Sequence, residues 1–178
     1  DFELKQKATL LPDPRLNIDP NEYLSQQQVL VQIENTVKDI HQSVNQMREI
    51  KDQVEFLNSV LAKMENEKSL IDTGNIVIQK IKNWEKNLIQ PQQKTFQDVI
   101  NFPNQLNAEL LNLKSRVDTH NPIVTLGAKE RLQHLVKEWS LHKQSMQDIL
   151  VQDVENFNNL YKEREIPALF VPASAEKP

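Results

Sequence analysis

Glu130, His134, Glu138 and His142 recur every four residues. On a helix that spacing stacks carboxylates and imidazoles along one side, a pattern able to ligate a metal. At about 100° per residue, however, Glu130 and His134 point away from the apolar face of their own segment, and His142 sits at its edge. Bundles that hold metals between carboxylates use inward Glu-x-x-His pairs on two different helices, and no such pair occurs in this chain. The stripe therefore reads as a solvated, salt-pairing face, and no metal or other cofactor is expected. His41 lies beside an apolar stripe and His120 in a proline turn, neither with an evident partner.

Trp84 and Trp139 form the second constellation, since both fall on apolar seam positions. They serve either as large core anchors or as the walls of a small-molecule pocket in a ligand-binding or sensor bundle, with the core reading favoured. Other chemistries lack their parts. Cysteine is absent, only Gly74 and Gly127 are glycines, and no nucleophile elbow or phosphate loop occurs. None of the 25 acidic residues lies in an apolar stretch that would tune it for acid-base work. No catalytic residue is assigned, and the chain reads as a non-enzyme.

Composition narrows the partners. The net charge is -4, with 21 basic residues spread among the acids, so there is no basic footprint for nucleic acid. No apolar run approaches the roughly 20 residues that span a bilayer. Asparagine and glutamine together number 35, so much of the solvated surface is neutral amide. Leu30, Phe56, Val60, Leu111 and Leu141 fall off the main apolar stripes and suit a docking face for a protein partner.

The elements follow from periodicity. Residues 1–18 read as a strand end and linker. Asp19 then offers an N-cap, with Pro20 at the first helical position and Glu22 completing a box-like start. From Ile33 to Met64 apolar residues alternate in steps of four and three, with one stammer at Met47. If unbroken from about residue 20 to 65, this helix is on the order of 65 to 70 Å long. The run 65–69 is the expected turn. A second stripe runs Leu70, Gly74, Val77, Ile81, Trp84 and Leu88, where Gly74 allows a helix or a Trp ring to come close, and Pro91 closes it. A third runs Leu106, Leu110, Leu113 and Val117. The last helix opens near Thr125 and continues to about Arg164. The expected fold is all-α: an elongated up-down-up-down helical bundle, residues 19–165, with two long outer helices, a broken middle pair and an extended tail at 166–178.

Between the second and third stripes lies a proline-amide interruption. There Thr95 is placed to cap a short turn, Asp98 to accept backbone N–H bonds, Asn101 to bond the chain where it reverses, and Pro103 to start the third helix. Asn107 follows in its first turn.

This interruption carries a resemblance. Gln97-Asp98-Val99-Ile100-Asn101-Phe102-Pro103, then Leu106-Asn107, Leu110 and Leu113, resemble the carboxyl-terminal helical region of exported bacterial proteins with a sortilin-type β-propeller, often labelled glycosyl hydrolases. Asp153-Val154-Glu155-Asn156-Phe157-Asn158 is similar to that family's ending. Asp13-Pro14-Arg15 resembles its junction between a β-sandwich-like domain and the helices. The resemblance implies an accessory domain of an exported parent (periplasm, cell surface or secreted) whose partners are the parent's neighbouring domains, with Asp1 to Lys5 the last strand of the preceding domain. Any hydrolytic site would lie in the propeller, so no catalytic residue carries over.

Overall fold

The computed structural model describes residues 5–9, 11, 13, 15, 17–64 and 66–166. The expected strand end at Asp1 to Lys5 and the tail at 166–178 fall almost wholly outside them, and residues 5–9 have no regular structure. Five α-helices make up the rest: α1 (Pro20–Leu61), α2 (Lys68–Lys86), α3 (Leu106–Val117), α4 (Leu126–Asp148) and α5 (Glu155–Glu163). A 3-10 turn (Phe96–Ile100) lies between α2 and α3, and a π turn (Ile149–Val154) joins α4 to α5 without a break. The chain is thus an all-α up-down bundle with two long outer helices and a broken middle pair.

α1 is one unbroken helix of 42 residues. It starts where Asp19 Oδ1 accepts the Asn21 N–H at 2.8 Å, satisfying one of the orphan donors of a helix start. The stammer at Met47 does not end it, and Met47 is fully buried. The turn after α1 places Asn66 at φ 67, a left-handed conformation that asparagine tolerates better than most residues. α4 begins under a second cap, with Thr125 Oγ1 accepting from Ala128 N at 3.2 Å.

Register defines how the arms run. Descending α1, Asn58 bonds the Ile71 carbonyl and Asn75 (3.3 and 3.1 Å), Glu55 pairs with Lys82 (3.2 Å) and Arg48 with Glu85. Further down, His41 meets Asn107 (3.0 Å), Glu34 meets Lys114 (2.8 Å), and Gln26 donates to the Val117 carbonyl (2.7 Å). As α1 numbers fall, partner numbers rise, so α2 and α3 both run antiparallel to α1, one after the other. The last arm then climbs back: Arg131 pairs with Glu109, Trp139 with Asp39, the His142 carbonyl with Trp84, and Asp153 with Lys80.

The break between α2 and α3 is therefore a detour. From Arg48 to His41, α1 moves seven residues while its partner advances twenty-two, from Glu85 to Asn107, leaving fifteen in excess. The junction gives the same figure. Asn107 N donates to the Leu88 carbonyl at 3.0 Å and Leu106 N to Asn87 O at 3.4 Å. A helix makes this bond across four residues; here it spans nineteen, again an excess of fifteen. α3 sits on the end of α2 almost as its continuation.

The apolar stripes form one core. Ile33, Ile40, Val44, Met47, Val54 and Leu61 of α1 face Leu70, Val77, Ile81 and Leu88 above and Leu106, Leu110, Leu113 and Val117 below. Leu132, Leu135, Trp139, Met146, Ile149 and Phe157 close it from the last arm. Gly74 admits α1 rather than a Trp ring, because a Cβ there would collide with Asn58 Oδ1.

Candidate functional site

Both tryptophans are in the core, Trp84 at 4% and Trp139 at 5% exposure. Their single donors are already engaged. Trp84 Nε1 donates to the His142 carbonyl at 2.8 Å, tying α2 to α4. Trp139 Nε1 donates to Asp39 Oδ2 at 2.9 Å, and Lys143 Nζ reaches the same oxygen at 2.7 Å while lying 6.0 Å from the Trp139 ring centre. Burial pushes the Asp39 carboxyl up, but the bonds from Lys143 and Trp139 and the Lys143 charge together outweigh it, and Asp39 is held below its ordinary value. Its contribution to stability is present above the unfolded pKa and is lost as pH falls through the folded one.

The two rings do not share a pocket. Trp139 forms the floor of a shallow groove of about 450 Å³ with Val31, Asn35, Thr36 and Asp39 of α1. Trp84 underlies a separate groove of about 490 Å³ between α2 and the π turn. There Lys80 Nζ bonds Asp153 Oδ1 at 2.6 Å, and Asp148 Oδ1 takes the Gln144 amide at 3.1 Å. This groove mixes amides, a hydroxyl, an imidazole and carboxylates, with its charges largely spent on one another. The π turn beside it had no signature in the stripe, since the apolar spacing from Met146 to Phe157 suits an ordinary helix.

The stripe of acids and imidazoles on α4 stays dispersed. Glu130 and His134 are exposed, Glu138 and His142 half-buried. Arg131 Nη1 donates to His134 Nδ1 at 2.9 Å, which makes Nδ1 the nitrogen without a proton, because a guanidinium can only donate. The other face of the same Arg131 holds Glu109 at 3.0 Å. Among the described residues no three His, Asp or Glu side chains gather with metal-binding geometry.

The interruption is built from its own residues. Asp98 Oδ2 accepts the backbone N–H of Thr95 at 2.6 Å and of Lys94 at 2.8 Å, so those bonds hold its carboxyl below the ordinary value. Thr95 stands as the N-cap of the 3-10 turn. Asn101 closes that turn through its backbone, its N–H donating to Asp98 O at 3.1 Å, while the residue itself is exposed. Pro103 does not start α3. It lies three residues upstream, and its carbonyl accepts from the Gln90 and Gln105 amides at 3.4 Å each. The helix waits until Leu106 because the seat on Leu88 O, not the proline, sets its start. Asn107 is the joint, bonding Leu88 through its backbone and His41 through Oδ1.

Three buried polar residues on the inner face of α1 escaped the stripe reading: Thr36, Ser43 and Asn58. Thr36 bonds back to the Gln32 carbonyl at 2.8 Å. Asn58 was traceable in principle, since it is the α1 side chain that the glycine at position 74 makes room for. Near the other end, the Asp13 carboxylate takes both the guanidinium of Arg15 (2.6 Å) and its backbone N–H (2.9 Å), so these two residues bond each other.

No helix among the described residues is long and apolar enough to cross a membrane. Comparison with protein-family models, with curated proteins and with solved structures gave no match to this chain.

Proposed function

We propose that this chain is a non-catalytic helical interaction module that spaces and docks neighbouring domains of a larger exported protein of the sortilin-type β-propeller kind. One observation carries the reading. α1 runs unbroken for 42 residues, and α2, α3 and α4 pack against its buried side. At 1.5 Å per residue that is a rod of about 60 Å whose opposite side is exposed among the described residues. Such a rod fixes a distance and offers a face, and neither task needs a reactive group. The export part of the reading rests on the resemblance of residues 97–113 and 153–158.

The alternative, a ligand-binding bundle with a pocket near Trp84 and Trp139, has less support. Both indole N–H groups are spent on the protein's own acceptors, and the rings underlie different grooves. The test is direct. The purified chain should leave a panel of glycosides intact and give a small-angle scattering profile with a maximum dimension of at least about 60 Å. Glycoside hydrolysis by this chain alone would overturn the reading.

A further inference from the structure

The outer side of α1 carries a second heptad pattern. Leu24, Val31, Lys38 and Asn45 follow one another at seven-residue intervals, as do Gln42, Glu49 and Phe56, with Lys63 next in the turn just past the end of α1, and all eight are exposed. Val31, Lys38 and Asn45 each sit two residues from a core position (Ile33, Ile40, Met47), which is about 200° round the helix. The stripe therefore faces away from the core, and its flanks edge two grooves, Val31 with Trp139 of α4 and Lys38, Gln42 and Asn45 with Leu111 and Lys114 of α3. Three of its members are large apolar side chains left in water: Leu24 at 62%, Val31 at 40% and Phe56 at 66% exposure.

The two series are complementary when one is read backwards. Laid antiparallel about a two-fold axis near Ser43, the stripe places Val31 against Phe56 of a second copy, Lys38 against Glu49, and Asn45 against Gln42. Leu24 then meets the aliphatic stem of Lys63, whose amine remains in water. The three inner layers match in kind, apolar with apolar, cation with anion, amide with amide, and symmetry repeats each match. Among the described residues Lys38 and Glu49 take no ion pair, whereas their neighbours Asp39 and Arg48 are both paired inward. A face whose own residues complement it under a two-fold rotation is the signature of an isologous contact.

We propose that the outer face of α1 is a self-association surface, and that its partner is a second copy of this chain docked antiparallel. The polar middle of the stripe makes the association weak but fixes its register, as polar seam residues do in coiled coils. The inference deepens the interaction-module reading by naming the partner, and the two can fail separately.

The test exploits the absence of cysteine. Val31→Cys and Phe56→Cys proteins, mixed under mild oxidation, should give a mixed disulfide, with little of either homodisulfide. In the proposed geometry residue 31 of one copy lies about 37 Å from residue 31 of the other, beyond reach of a bond. In parallel, sedimentation over a rising concentration series should show a dimer. Lys38→Glu, which opposes like charges in both symmetric layers, should raise its dissociation constant about tenfold. Adding Glu49→Lys to that variant should restore it. All four substitutions lie on exposed positions, and circular dichroism verifies that each variant is folded. A chain that is monomeric at every concentration overturns the inference. So does a dimer indifferent to the charge swap, or one giving homodisulfides as readily as the mixed product. A monomer that is also inert on glycosides would overturn this inference alone.

Discussion

The two faces of α1 are built from opposite rules. The inner face is apolar with three polar exceptions, Thr36, Ser43 and Asn58; the outer face is polar with three apolar exceptions, Leu24, Val31 and Phe56. On the inner face the donors of Thr36 and Asn58 are answered locally, by the Gln32 carbonyl and by the Ile71 carbonyl and Asn75 Oδ1, while Asn58 Oδ1 is buried with no partner among the described residues. On the outer face Val31 edges the groove over Trp139, and among the described residues Leu24 and Phe56 are left largely exposed. A single helix thus carries a packed side and a side whose apolar groups stay exposed among the described residues.

The sharpest way to break this comparison is to truncate one residue on each face. Ile40, fully buried, loses its contacts with several arms at once on Ile40→Ala, and the expected loss is about 2–5 kcal/mol by urea denaturation. Phe56→Ala removes a larger side chain yet should change the stability of dilute, monomeric protein by less than about 0.5 kcal/mol. Equal losses at the two positions would mean that the outer face is packed after all.

A smaller effect distinguishes how the inner face handles its polar exceptions. Gly74→Ala should improve helix propensity by about 1 kcal/mol, but the added Cβ strikes Asn58 Oδ1. Alone, the substitution should therefore destabilise the protein by about 1–3 kcal/mol. In an Asn58→Ala background the obstacle is gone, and the same change should stabilise by about 1 kcal/mol. The reversal of sign, measured as a double-mutant cycle, checks the contact; no reversal would detach Gly74 from Asn58.

Much of the inner face was legible in the sequence, because a buried helical face must repeat at the helical period. The α2 and α3 stripes are buried at every position, and Asp19, Pro20 and Thr125 mark helix starts where the chain places them. The path between α2 and α3 was not legible. Loop composition says that the helix stops, but the nineteen-residue separation of Leu88 and Asn107 is compatible with reversal or with return to the same axis. Only the carbonyls waiting at the end of α2 decide between them. Candidate chemistry was harder still. A four-residue spacing put Glu130 to His142 in line, but convergence requires a second helix, and no second helix supplies ligands there.

The gentlest test asks whether the inner face of α1 is covered by one arm or two. If α2 and α3 are a single helix with a detour of fifteen residues, removing residues 90–104 places Asn107 four residues after Leu88 and Leu106 four after Asn87. The two bonds that now span the gap become ordinary helical bonds, and the remaining orphan carbonyls of α2 and N–H groups of α3 gain partners. Both prolines of the segment, Pro91 and Pro103, leave with it. The bonds of Asp98 leave too, but its acceptors serve only Lys94 and Thr95 inside the deleted stretch, and outside it Gln105 loses only its exposed 3.4 Å bond to the Pro103 carbonyl. Closing a shorter loop costs slightly less entropy, and the net change in stability should stay within about 1 kcal/mol. Helicity per residue in circular dichroism should rise, and the Glu34–Lys114 and Arg48–Glu85 pairings should persist together, because the register on both sides of the junction is unchanged. Loss of cooperative unfolding would show instead that the detour holds the two helices in place.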